Sequence, residues 1–195
     1  MKNKAPKTIS LIKLLALLLL MQLTSCGNST QNQPATAEGF QNIENELKDQ
    51  FGKDAFYTDL TVTYNQSIGN IIGVTVTEDP ESLKMGQWNL TQDTWQQNSD
   101  ITIEVPSGTK ASDFMFQIGE AISLSKLGGL VEKSIQKLKD EKNLENPILS
   151  TARVYFPDNG DASKAEYFVN LQPENGGTTF RFRYGLNGDL IKMNY

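Results

Sequence analysis

The 195-residue sequence contains no histidine and a single cysteine, Cys26. Without histidine there is no Ser–His–Asp or Cys–His triad, no HExxH zinc site and no imidazole to move a proton. With one thiol there is no intramolecular disulfide, no CxxC pair and no multi-cysteine metal or iron–sulfur site. Catalysis, if any, would fall to carboxylates, and no cofactor is expected. Long apolar stretches are also missing. The run from Ile9 to Leu23 contains Lys13, and its longest unbroken apolar block is Leu14 to Met21. That is well short of the roughly 20 apolar residues that span a bilayer.

What that run does have is a charged start and a particular end. Lys2, Lys4 and Lys7 precede it, as in the n-region of a secretory signal, and it closes in Leu23-Thr24-Ser25-Cys26. This tetrapeptide resembles the lipobox of bacterial lipoprotein signal peptides, with Leu three residues before the cysteine and small residues between. The resemblance implies a diacylglyceryl group on Cys26, cleavage before it and acylation of the new amino terminus. Two or three acyl chains, at about 0.8 kcal/mol per buried CH₂, hold a protein stably on a membrane where one chain would not. Gly27 follows the cysteine and the first acidic residue is Glu38. By the sorting rule of enteric lipoproteins, that implies an outer-membrane anchor facing the periplasm. The membrane is thus one expected partner and an envelope protein the other.

Residues 1–25 hold four lysines and no acid, so the remainder carries 14 basic against 23 acidic side chains, a net −9. That sign disfavours nucleic acid and anionic lipid as binding partners. Residues 26–38 are small and polar with no hydrophobic period, and are expected as a flexible tether.

From Phe40 the apolar residues Phe40, Ile43, Leu47 and Phe51 fall on one helical stripe, stopped by Gly52. Strand periods follow at Phe56 to Tyr64, Ile71 to Thr77, Met85 to Leu90 and Asp100 to Val105. A second helical tract is expected from Ser112 to about Lys142. A kink or break is expected at Gly128-Gly129, because each glycine costs about 1 kcal/mol relative to alanine in a helix. Strands are then expected at Leu149 to Phe156, Ala165 to Leu171, Thr178 to Tyr184 and Leu190 to Asn194. Turns such as Asn159-Gly160 and Asn187-Gly188 separate them.

The expected fold class is therefore α+β: two helix-plus-antiparallel-sheet units in tandem, over 39–106 and 107–195, with helices packed on sheet faces. The order resembles the tandem units of the β-lactamase-inhibitor-like and PepSY-like folds. The closing Phe180 to Leu190 stretch resembles the strand–turn–strand finish of a PepSY-like unit. That resemblance implies a periplasmic binding or inhibitory module and transfers no catalytic residue.

Four side chains are candidates for binding. Trp88 and Trp95 flank the turn-like Thr91-Gln92-Asp93 and would form an aromatic platform if they face outward, or part of the core if they face inward. Arg181 and Arg183 lie on the strand face opposite Phe180, Phe182 and Tyr184, and their planar forks suit carboxylates, whether a partner's or the protein's own. Asp158, Asn159 and Asp161 lack the spacing of a calcium loop and read as a hairpin turn. Acid pairs such as Asp140-Glu141 have nothing in the sequence to place them in a cleft. The expectation is a lipid-anchored, non-enzymatic envelope protein that binds a protein or ligand. The alternatives are a carboxylate-dependent enzyme on envelope polysaccharide and a purely structural lipoprotein.

Overall fold

A computed structural model describes residues 29–195. Cys26, the signal segment over 1–25 and the first residues of the expected tether lie outside the described residues.

Helix α1 spans Ala37–Phe51. The Thr36 side chain caps it by accepting the Gly39 N–H, and Gly52 ends it at φ 87°, a left-handed angle that glycine takes without strain. The Phe40, Ile43, Leu47 and Phe51 stripe is buried, as its spacing predicts. Strands β1 (Phe56–Asn65), β2 (Gly69–Thr77), β3 (Lys84–Thr91) and β4 (Thr94–Thr102) then form an antiparallel meander. The β3–β4 hairpin turns on Gln92 and Asp93, both at positive φ, so β4 starts at Thr94 and ends at Thr102 instead of running from Asp100 to Val105 as its periodicity suggests.

After a short strand β5 (Phe116–Gln117) on β1 comes helix α2 (Leu124–Lys142), then β6 (Pro147–Tyr155), β7 (Glu166–Pro173), β8 (Phe180–Gly185) and β9 (Leu190–Asn194). The two halves form one sheet in the order β4-β3-β2-β1-β6-β7-β8-β9. They join where β1 meets β6 antiparallel, Leu60 opposite Val154 and Val62 opposite Ala152. Both helices cover the same face. The core beneath them takes Leu60, Val62, Ile72 and Val74 from one half and Val169, Leu171, Phe182 and Tyr184 from the other.

Three expectations are corrected. Residues 112–123 do not begin the second helix; they form a 3₁₀ turn (Ala111–Phe114), β5 and a bend before Ser123 caps α2 at Leu124. Met115 and Ala111 instead fill a small second cluster with Met85, and Phe116 stacks on Tyr57. Nor does Gly128-Gly129 break α2, which runs unbroken through both. A Cβ on Gly128 would lie 2.3 Å from the Thr36 carbonyl oxygen, so this glycine lets α2 lie against the start of α1. The close approach lets each helix cap the other. Glu132 accepts the Ala37 N–H at 3.0 Å, and the buried Glu44 accepts the Leu124 N–H at 2.8 Å while pairing with Lys48 at 2.6 Å. Carboxylates at helix N-termini satisfy orphan N–H groups and oppose the helix dipole.

The third correction concerns the tether. Residues 29–36 are docked on the end of the sheet that carries the β1–β2 and β3–β4 turns. Asp93 accepts from Ser29 Oγ at 2.5 Å, Thr30 Oγ1 at 3.1 Å and the Gln31 N–H at 3.2 Å. The Asn70 amide donates to the carbonyls of Thr30 and Gln33 at 3.0 and 2.9 Å.

Candidate functional site

The face of the sheet opposite the helices has no layer over most of its area, and strand alternation decides what it shows. Because Leu60, Val62, Ala152, Val154, Val169 and Phe182 point into the core, their neighbours point outward. Strand register aligns those neighbours in one row across the sheet. In the first half the row is neutral: Asn89, Gly73 and Thr61. Thr61 then pairs with Arg153, Arg153 with Phe168, Phe168 with Arg183 and Arg183 with Lys192. The next row outward pairs Asn170 with Arg181.

The sequence contains three arginines, and all of them occupy this patch. Phe168 organises two. Its ring lies 4.8 Å from the Arg153 guanidinium carbon and 5.5 Å from that of Arg183, and Tyr155 meets it edge-on at 5.7 Å. Arg183 also grips both oxygens of Glu166, Nε at 2.7 Å and Nη2 at 2.8 Å. That carboxylate holds the guanidinium pKa above its usual value. Arg181 and Arg153 are exposed. Across the junction, burial raises the Asp59 carboxyl above the ordinary aspartate range and the Arg153 charge opposes the rise.

The other sequence candidates lie elsewhere. Trp88 and Trp95 stand on the helix side, where both meet Phe51 edge-on at 5.7 and 4.8 Å. Trp95 Nε1 donates to Glu46 at 2.9 Å, and both indoles are half-buried against the core. They therefore lie on the opposite face from Arg181 and Arg183 and five and six strands away from them in the sheet. Asp161 accepts from Ser163 and pairs with Lys164 at 2.9 Å, closing a turn. Among the described residues no cluster of three or more carboxylate, cysteine or histidine side chains is placed to hold a metal ion.

Beside the patch, where β6–β7 and β8–β9 turn, lies an open cleft of about 960 Å³ whose walls include Tyr155, Asp158, Glu166, Arg183 and Ile191. Glu166 is occupied by Arg183. A second cleft of about 430 Å³ lies at the opposite end, between the docked 31–35 segment, Tyr64, Ile135 and Leu149. Sequence reading found Arg181 and Arg183 but missed Arg153 and Phe168. The signal for Arg153 was its place between Ala152 and Val154, the inward residues of β6. That of Phe168 was hidden, because an aromatic at an outward position looks like a core residue until the register is known.

No protein-family model matches the sequence, and no curated protein matches it. Among solved structures, a lipoprotein candidate from Clostridium difficile 630 is similar at a TM-score of 0.47 and 14% identity. The match covers 78% of this chain and 90% of that one. Among the described residues no helix is long and apolar enough to cross a membrane.

Proposed function

We propose that the protein is a lipid-anchored cell-envelope binding module, held through Cys26 on the periplasmic side of the outer membrane, that presents the uncovered sheet face to a protein partner. The observation that carries the reading is the uneven use of that face. Inward positions of both halves are committed to one core, and the outward row is neutral in one half and gathers the arginines in the other. A face needed only for solubility requires no such concentration of one residue type. The leader, with its lysines, apolar run and Leu23-Thr24-Ser25-Cys26, supports the anchor.

Two measurements test it. Cys26→Ser should move the protein out of the membrane fraction, and retention there would refute the anchor. A photo-crosslinking residue at Thr151 or Asn170, neutral positions inside the patch, should capture a protein partner in cells, whereas one at Asn89 should not. Equal capture at both sites would remove the assignment to this face.

A further inference from the structure

Resting on that partner-binding reading, we infer that the Arg153–Phe168–Arg181–Arg183 patch is a docking surface for an acidic segment of a protein, read through its carboxylates. At the outward strand positions of β6–β9 four cations, Arg153, Arg181, Arg183 and Lys192, stand against Glu166, and Asp59 on the adjoining β1 is the other carboxylate near Arg153. The chain is acidic as a whole, with a formal net charge of −5. The Debye length in physiological salt is about 8 Å, so a partner at the surface senses the nearby cations far more than distant acids. Strand spacing puts Arg153 and Arg183 about 10 Å apart, and Arg181 about 7 Å further along β8. That separation suits several carboxylates spread along one segment.

The geometry also selects the ligand class. A glycan platform needs a bare aromatic face, but the Phe168 ring is flanked by the Arg153 and Arg183 guanidiniums. Stacking on the ring orients the forks and leaves their in-plane N–H groups to bind. Glu166 shows the pairing already made, since its planar carboxylate fits the Arg183 fork with two bonds. Among the described residues no carboxylate is within ion-pairing distance of Arg153 or Arg181. Those two forks are therefore the ones offered to a partner.

The test uses the purified lipidated protein in detergent and a fluorescent deca-glutamate peptide, with deca-lysine and polygalacturonate as comparators. Deca-glutamate should bind, weaken with added salt, and lose about tenfold or more in affinity in the R153E/R181E variant. That variant should keep its fold by circular dichroism, with a melting temperature lowered by the lost Arg153–Phe168 contact and by a second acid near Asp59, while R181E alone, at an exposed side chain, should leave the melting temperature unchanged. R153K/R181K, which keeps the charge but not the fork, should fall between. Absence of deca-glutamate binding, binding indifferent to R153E/R181E, or equal binding of polygalacturonate would each overturn the inference. The in-cell crosslink at Thr151 separates this from the partner reading. A crosslink that survives R153E/R181E keeps the partner and overturns the acidic chemistry, and no crosslink at all overturns both.

Discussion

Gly128 and Gly129 are adjacent in one helix, yet alanine at the two positions should have opposite effects on stability. In an exposed helix interior the change from glycine to alanine stabilises by about 1 kcal/mol. At Gly129 the nearest neighbour of an added Cβ is the Ala37 Cβ, 4.0 Å away, so nothing opposes that gain. At Gly128 the added atom would lie 2.3 Å from the Thr36 carbonyl oxygen, 2.7 Å from its carbon and 2.9 Å from the Ala37 Cα. These are backbone atoms with no rotamer to change, so α1 and α2 must separate by about an ångström to restore ordinary contact. That movement stretches both reciprocal caps, Glu132 to Ala37 and Glu44 to Leu124. Overpacking of this kind costs about 1–3 kcal/mol, and loss of cap geometry places Gly128→Ala at the upper end. Net of the helix gain, Gly128→Ala should destabilise by about 2 kcal/mol and Gly129→Ala should stabilise by about 1 kcal/mol. For a domain of this size that is a fall in Tm of roughly 4–8 °C against a rise of about 2–4 °C. Thermal and urea unfolding of the domain without its anchor would measure both. A Gly128→Ala variant as stable as the parent would refute the account of why the helix tolerates two glycines.

Two further outcomes follow from buried polar groups and a third from the exposed Asp93 carboxylate. Glu44→Ala leaves the buried Leu124 N–H without an acceptor, and should cost about 2–3 kcal/mol in urea unfolding. Tyr57 has a buried hydroxyl with no hydrogen-bond partner, and burial raises its pKa far above the ordinary phenol value. Tyr57→Phe should therefore leave stability unchanged or raise it by about 1 kcal/mol, and a clear loss would show that the hydroxyl is satisfied. At Asp93 burial pushes the pKa up, but hydrogen bonds from Ser29, Gln31 and Thr30 together bring it below the ordinary aspartate value. A lowered folded-state pKa means its contribution is complete above the unfolded value, near 4, and is lost as pH falls through the folded one. Hydrogen exchange at the Gln31 amide should therefore quicken on acidification below about pH 4 relative to its intrinsic rate, and Asp93→Asn should abolish that pH dependence.

The fold was legible wherever one face of one element decides the pattern. Phe40, Ile43, Leu47 and Phe51 marked α1, and Ile72, Val74 and Val76 marked β2, because burial on a single face leaves a period in the sequence. What failed were features set by contact between elements. Gly128 carries a helix-breaking propensity locally, and only the backbone of Thr36 explains why it is tolerated. Residues 29–36 are polar because Asp93 and Asn70 bond them through side chains and carbonyls, which looks in sequence like a tether. The two tryptophans were left between platform and core because their environment depends on Phe51, at the far end of a helix over 35 residues earlier. The site was half legible for the same reason: Arg181 and Arg183 share a strand, whereas Arg153 joins them only through two strand registers.

On the proposed reading, the outward row is where the two halves differ in use. Each half supplies a helix and four strands to one core, so substitutions at inward positions of either half carry packing costs of several kcal/mol. Outward positions are free of that constraint and change at little cost. Asn89, Gly73 and Thr61, the residues of that row in the first half, carry no charge. Arginine at three nearby outward positions, with a half-buried phenylalanine between two of them, sets β6–β8 apart. Burying part of an aromatic ring on an open sheet face exposes apolar edge to water, and one guanidinium there already needs Glu166 to hold it. The half without arginine thus serves as a control built into the same sheet. An acidic substitution at Asn89, an exposed outward position three strands from Arg153, should leave partner capture intact while charge reversal at Arg153 and Arg181 removes it. Equal losses from both halves would mean that the whole face, and not the arginine patch, makes the contact.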